Sequence, residues 1–177
     1  MKKSLQFLLI VFTLSTVSLQ AQEVKNTLKI NPLSALVRVG SIFYERKISP
    51  TSSLQLGVAY IGLKSRDTKF SGLALTPEYR YFIKKAPLSG LYVGPFAKYQ
   101  NLRVSSDTDL GKYNSFGGGV SMGRQWVYGS GLVLDMFLGP VFNSGKYKAE
   151  SGAEQISLSS GIDGFWIRGG ITIGFGF

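Results

Sequence analysis

Any chemistry in this chain must come from hydroxyls, amines, guanidiniums and carboxylates, because its 177 residues include no histidine and no cysteine. A serine nucleophile would lack its usual base, and thiol redox, disulfides and cysteine-based zinc sites are excluded. Asp107 and Asp109 miss the spacing of a calcium loop, and Gly117-Gly118-Gly119 sits inside an alternating pattern where a phosphate cradle would need a loop before a helix. No catalytic residue, metal or cofactor is therefore expected. What stands out is six charges embedded in otherwise alternating segments: Glu45, Glu78, Arg80, Lys98, Asp135 and Arg168. Three acids and three bases are what a closed, paired network needs.

The elements that carry these charges have a period of two. At the C-terminus Phe165, Ile167, Gly169, Ile171, Ile173, Phe175 and Phe177 fall on one face, and Trp166, Arg168, Gly170, Thr172, Gly174 and Gly176 on the other. A strand separates such sets and a helix scatters them. Leu73 to Ile83, Leu91 to Tyr99 and Leu132 to Phe142 repeat the pattern. Eight strands are predicted, near 27–37, 40–48, 53–63, 71–83, 90–102, 113–127, 131–143 and 164–177. Their lengths suit a tilted membrane crossing of about 9–11 residues better than the soluble average of about 5–6. Short turns at 49–52, 84–89 and 128–130 alternate with longer polar connections at 64–70, 103–112 and 144–163. Outer-membrane barrels combine short periplasmic turns with longer external loops in this way.

The first residues look like a secretory leader. Lys2 and Lys3 precede an apolar run from Leu5 to Leu14, and smaller residues lead to Ala21. The expected division is a signal peptide over 1–21 and a barrel over 22–177. Removing Lys2 and Lys3 would lower the formal charge from +10 to +8. The leader's apolar run is short of the ~20 residues a spanning helix needs, and no later run reaches that length.

These readings predict an all-β, eight-stranded, antiparallel up-and-down transmembrane barrel with its aliphatic face toward lipid and its charges in the lumen. Inner-face glycines such as Gly57, Gly94, Gly119 and Gly139 leave room for Phe43, Phe82, Phe96, Phe137 and the charged chains. Tyr44, Tyr79, Tyr81, Trp126, Tyr128, Phe175 and Phe177 would form one interfacial girdle, and Tyr60, Tyr99, Phe116, Phe142 and Phe165 the other. Arg66, Lys69, Arg103, Lys112, Lys146 and Lys148 would lie at the outer rim, where lipopolysaccharide phosphate is the natural partner. The basic residues form no stripe suited to nucleic acid.

The final Ile173-Gly174-Phe175-Gly176-Phe177 resembles the C-terminal signal by which the outer-membrane assembly machinery recognises its barrel clients, with Phe175 and Phe177 carrying the likeness. Lys29-Ile30-Asn31-Pro32-Leu33, Phe43-Tyr44-Glu45-Arg46, Pro77-Glu78-Tyr79-Arg80-Tyr81 and Gly90-Leu91-Tyr92-Val93-Gly94-Pro95 extend the resemblance. The chain resembles the eight-stranded transmembrane domain of outer membrane protein A, and more closely a family of uncharacterised small outer-membrane barrels common in the Bacteroidetes. That likeness implies a fold and the bacterial outer membrane, reached through the periplasm, and no activity. The expected role is non-enzymatic, structural or surface-interacting, with a plugged lumen, loops 64–70, 103–112 and 144–163 outside, and an external ligand the sequence does not identify. The alternatives are a narrow solute pore, a soluble periplasmic lipocalin-like carrier and lipid-modifying catalysis at an unusual site.

Overall fold

A computed structural model describes residues 24–65, 68–84, 88–105, 110–149 and 163–177. The expected signal peptide over 1–21 lies outside them, as do Arg66, Asp107 and Asp109. The elements are β1 (Asn26–Ile30), α1 (Pro32–Leu36), β2 (Val39–Lys47), β3 (Ser52–Ser65), β4 (Thr68–Phe82), β5 (Gly90–Ser105), β6 (Leu110–Val127), β7 (Leu132–Ala149) and β8 (Gly164–Gly176). Each strand pairs antiparallel with its sequence neighbours, and β1 pairs with β8, so the sheet closes into an eight-stranded up-and-down barrel.

Closure is staggered. The row that starts at Lys29 runs through Phe43, Gly57, Thr76, Lys98, Gly117 and Asn143 to Gly164, whereas the β8 partner of Lys29 is Gly174, ten residues further along. Such a stagger tilts the strands and brings residues from distant strands to one level of the lumen. The turn after β2 is tied by the Ile48 and Ser49 amides donating to the Ser52 carbonyl, and the Phe177 carbonyl accepts from the Lys25 and Asn26 amides.

The pleat sorts side chains by parity. Leu54, Leu56, Leu73, Leu75, Leu91, Met122, Leu138, Ile167 and Ile173 stand on the outside, exposed. Thr27, Lys29, Glu45, Ser53, Gln55, Glu78, Arg80, Gln125 and Asp135 stand inside, buried. A water-soluble barrel has the opposite sorting, since burying apolar area is what drives its folding. Phe43, Phe82, Phe96 and Phe137 fill the interior between the charges. Above them Ile61, Ala74, Leu102, Val104 and Tyr113 form a buried apolar cluster toward the loop end. Close approach requires the inner glycines: a Cβ at Gly94 would collide with the Tyr79 carbonyl, and one at Gly139 with the Val120 carbonyl.

Two sequence expectations are corrected here. The first strand was expected over 27–37, but it ends at Ile30 and a helical turn follows. Pro32 opens that turn with its fixed φ, and Asn31 caps it, its Oδ1 accepting from the Leu33 and Ser34 amides at 3.1 and 3.2 Å. The long loops are also shorter than expected. Only 66–67 separates β3 from β4, only 106–109 separates β5 from β6, and β7 extends to Ala149. The ladder continues past the apolar pattern because backbone pairing does not need apolar side chains. The polar rows Lys69↔Ser105, Arg103↔Lys112 and Lys112↔Lys148 keep strand register.

Candidate functional site

The charged lumen is the candidate site. Inward parity on β1, β2, β4, β7 and β8, together with the stagger, gathers Lys29, Glu45, Glu78, Arg80, Asp135 and Arg168. Lys29 Nζ lies 2.6 Å from Glu45 Oε2 and 3.2 Å from Asp135 Oδ2, and donates to Gln125 Oε1 at 2.5 Å. Arg80 spans the section: its Nε is 2.9 Å from Glu78 Oε1, and its Nη1 is 2.9 Å from Asp135 Oδ2 and 3.4 Å from Glu45 Oε2. Its guanidinium lies over the Tyr92 ring at 4.2 Å, and the Tyr92 hydroxyl donates to Asp135 Oδ1 at 2.9 Å. Arg168 Nη1 reaches Glu78 Oε2 at 2.8 Å and is sandwiched between the Phe96 and Phe137 rings at 4.5 and 4.6 Å.

Neutral groups complete the shell. Ser53 donates to Glu45 Oε1, Ser121 donates to Glu78 Oε1 at 2.8 Å, and Gln125 Nε2 donates to the Leu88 carbonyl at 2.8 Å. Each acid holds two cations: Glu45 and Asp135 share Lys29 and Arg80, and Glu78 takes Arg80 and Arg168. Carboxylates held this way are fixed in position by paired charge-assisted contacts across the lumen.

Five of the six charges singled out from sequence meet in this network. The sixth, Lys98, is half-buried on the inward face of β5 and makes no ion pair or hydrogen bond among the described residues. Its place as third base is taken by Lys29, which sequence reasoning missed. The signal was available, since Lys29 lies between the outward Leu28 and Ile30 with Thr27 on its own face. Of the basic rim, Lys69, Arg103, Lys112, Lys146 and Lys148 are exposed on strands, and Arg103, Lys112 and Lys148 lie side by side in one row. Phe175 and Phe177 are exposed on the outer surface at the turn end. Among the described residues no group of three or more His, Cys, Asp or Glu is placed to hold a metal ion.

No curated protein and no solved structure matches this chain. One family does, described as protein of unknown function (DUF3575), and its match runs over residues 7–161. The closed eight-stranded barrel with a charged lumen is thus the fold of a chain that belongs to the DUF3575 family.

Proposed function

We propose that this protein is a non-enzymatic integral outer-membrane barrel, exported by a cleaved leader, with a structural or surface-interaction role. The observation that carries this reading is the inverted sorting: side chains such as Leu73, Leu138 and Ile167 are more than half exposed, while Lys29, Glu45 and Arg80 are fully buried. In water that arrangement exposes the apolar surface whose burial should stabilise the fold. In a bilayer it places hydrocarbon against hydrocarbon and hides the charges. Aromatics such as Tyr44, Tyr81 and Phe175 toward the turn end and Tyr60, Phe142 and Phe165 toward the loop end are exposed on the same outer face, as the two interfacial girdles of a membrane barrel would be.

The plugged lumen argues against a pore. Arg80 bridges acids on β2, β4 and β7 within one section of the barrel, and Phe82, Tyr92 and Phe137 pack beside it. A lipocalin-like carrier would need an apolar cavity where these charges stand. Lys69, Arg103, Lys146 and Lys148, exposed toward the loop end, support lipopolysaccharide phosphate as a partner at the outer rim, since charge-assisted contacts to phosphate are favourable. Phe175 and Phe177 would serve the assembly machinery before closure, since β1 covers the edge of that segment in the finished barrel.

The test is gel mobility of the carbonate-washed outer-membrane fraction, boiled against unboiled. A mobility shift in that fraction is expected. Protein in the soluble fraction with no shift would contradict the reading.

A further inference from the structure

The outer wall also carries charge at the turn end. Arg46 and Arg124 stand in the last four residues of β2 and β6, both exposed and both on the outward parity of their strands. Each sits among apolar neighbours. Leu91 on β5 and Met136 on β7 flank Arg124, and Leu54 on β3 flanks Arg46, all exposed on the same face. Each also has a girdle aromatic two residues away. The Arg124 guanidinium lies over the Trp126 ring, 5.1 Å from its centre. Tyr44 precedes Arg46, and its hydroxyl donates at 2.8 Å to Oδ1 of Asn26, the β1 partner of Arg46.

No acid answers these two cations on their own face. Among the described residues the acids are Glu45, Glu78 and Asp135, which are buried in the lumen, and Asp163, just before β8 at the loop end. Arg46 and Arg124 make no ion pair among the described residues. β2 and β6 are four strands apart either way round, so the arrangement occurs on opposite sides of the barrel. An arginine placed in this way lays its stem along the wall and keeps its head polar.

We propose that the turn end of the wall binds anionic glycerophospholipid, of the phosphatidylglycerol kind, its phosphate at Arg124 and its acyl chains along Leu91 and Met136, with Arg46 and Leu54 repeating the arrangement across the barrel. The direction of the side chains selects this partner. An acidic polymer beneath the membrane would meet only the turns. Arg46 and Arg124 leave the wall sideways, so a molecule lying against the barrel meets both the guanidinium and the apolar wall. A cation with no acid beside it prefers a lipid of net negative charge, because a zwitterionic headgroup brings its own cation to the phosphate. The lipid's position rests on the membrane reading above and lies at the end opposite the lipopolysaccharide rim.

The chain has two tryptophans, so Trp166→Phe leaves Trp126 to report alone beside Arg124. That variant is reconstituted at low salt in mixed vesicles of phosphatidylcholine and phosphatidylglycerol, with one lipid or the other carrying brominated chains that quench tryptophan on contact. Comparing the two quenching curves gives the affinity for phosphatidylglycerol relative to phosphatidylcholine at Trp126. A preference of about fivefold is expected, as for one basic residue at an anionic lipid surface. Arg124→Gln should bring the ratio near one, and Arg124→Lys, which keeps the charge, should retain most of it. Arg46→Gln, on the far side of the barrel, should leave it unchanged. A ratio near one with Arg124 in place, or a preference that survives Arg124→Gln, overturns the proposal, and the first of these needs no arginine variant. Strong quenching by both lipids at a ratio near one defeats this inference alone, whereas no quenching by either lipid defeats the membrane reading.

Discussion

Arg80→Ala is the sharpest perturbation of the lumen. The side chain is fully buried and touches Glu45, Glu78 and Asp135, donates to Gln125 at 3.3 Å, and covers the Tyr92 ring. Removing it leaves the six-charge network with two cations and three anions, all at low solvent exposure. Loss of one partner from a buried ion pair costs about 3–5 kcal/mol. Here each orphaned acid keeps one cation: Lys29 stays with Glu45 and Asp135, and Arg168 stays with Glu78. The lower end, about 3 kcal/mol, is therefore expected. With a urea slope of about 2 kcal/mol per molar, the midpoint falls by roughly 1.5 M. The assay is urea unfolding in lipid vesicles, followed by tryptophan fluorescence and by the heat-sensitive gel band, with the exposed Arg103→Ala as control. The Arg80→Ala, Asp135→Asn double-mutant cycle should return a coupling of about 1–3 kcal/mol. A midpoint indistinguishable from that of Arg103→Ala would refute the buried network.

The other expectations are independent of that one. Leu75→Arg on the outer belt should cost about 2–4 kcal/mol in vesicles, as a lipid-facing charge does; an exposed position in water would show within about 0.5 kcal/mol, and the same urea titration separates the two. Gly139→Ala should destabilise the barrel by about 1–3 kcal/mol through overpacking, because its Cβ meets the Val120 backbone, seen as a lower urea midpoint and a weaker heat-sensitive band, whereas Gly40→Ala, with nothing within 4 Å, should be silent. Asn31→Ala removes the cap of α1 and should cost about 0.5–2 kcal/mol locally, read as faster amide exchange at Leu33 and Ser34. Planar bilayers holding the purified protein should show no steady unitary conductance; regular steps would mean that the Arg80 crossing opens.

The fold was legible because a period of two survives every contact detail. Leu73, Leu75 and Tyr79 alternate with Ala74, Glu78 and Arg80, and one closed wall is enough to send the two sets to opposite sides. The pairing inside was not legible. Whether Lys29 or Lys98 completes the network depends on the ten-residue stagger, which sets the height of each strand and leaves no mark in any single segment. Lys29 brings its ammonium level with Glu45 and Asp135, while Lys98 stands nearer Arg168, a cation. α1 was hidden for a local reason. Asn31-Pro32 is a helix-start signal, but five residues are too few to show a helical period, and Leu33 and Val37 read as a continuing strand.

The absence of cysteine makes the central claim directly testable. Single cysteines placed one at a time from Leu73 to Tyr79 in β4, each carrying a nitroxide, can be measured in lipid vesicles for collision with oxygen, which concentrates in hydrocarbon, and with a water-soluble nickel chelate. If the outer face meets lipid, oxygen accessibility alternates with a period of two, high at Leu73, Leu75, Pro77 and Tyr79 and low at Ala74, Thr76 and Glu78. High nickel accessibility at Leu73 and Leu75, or no alternation along β4, would contradict a membrane-embedded barrel.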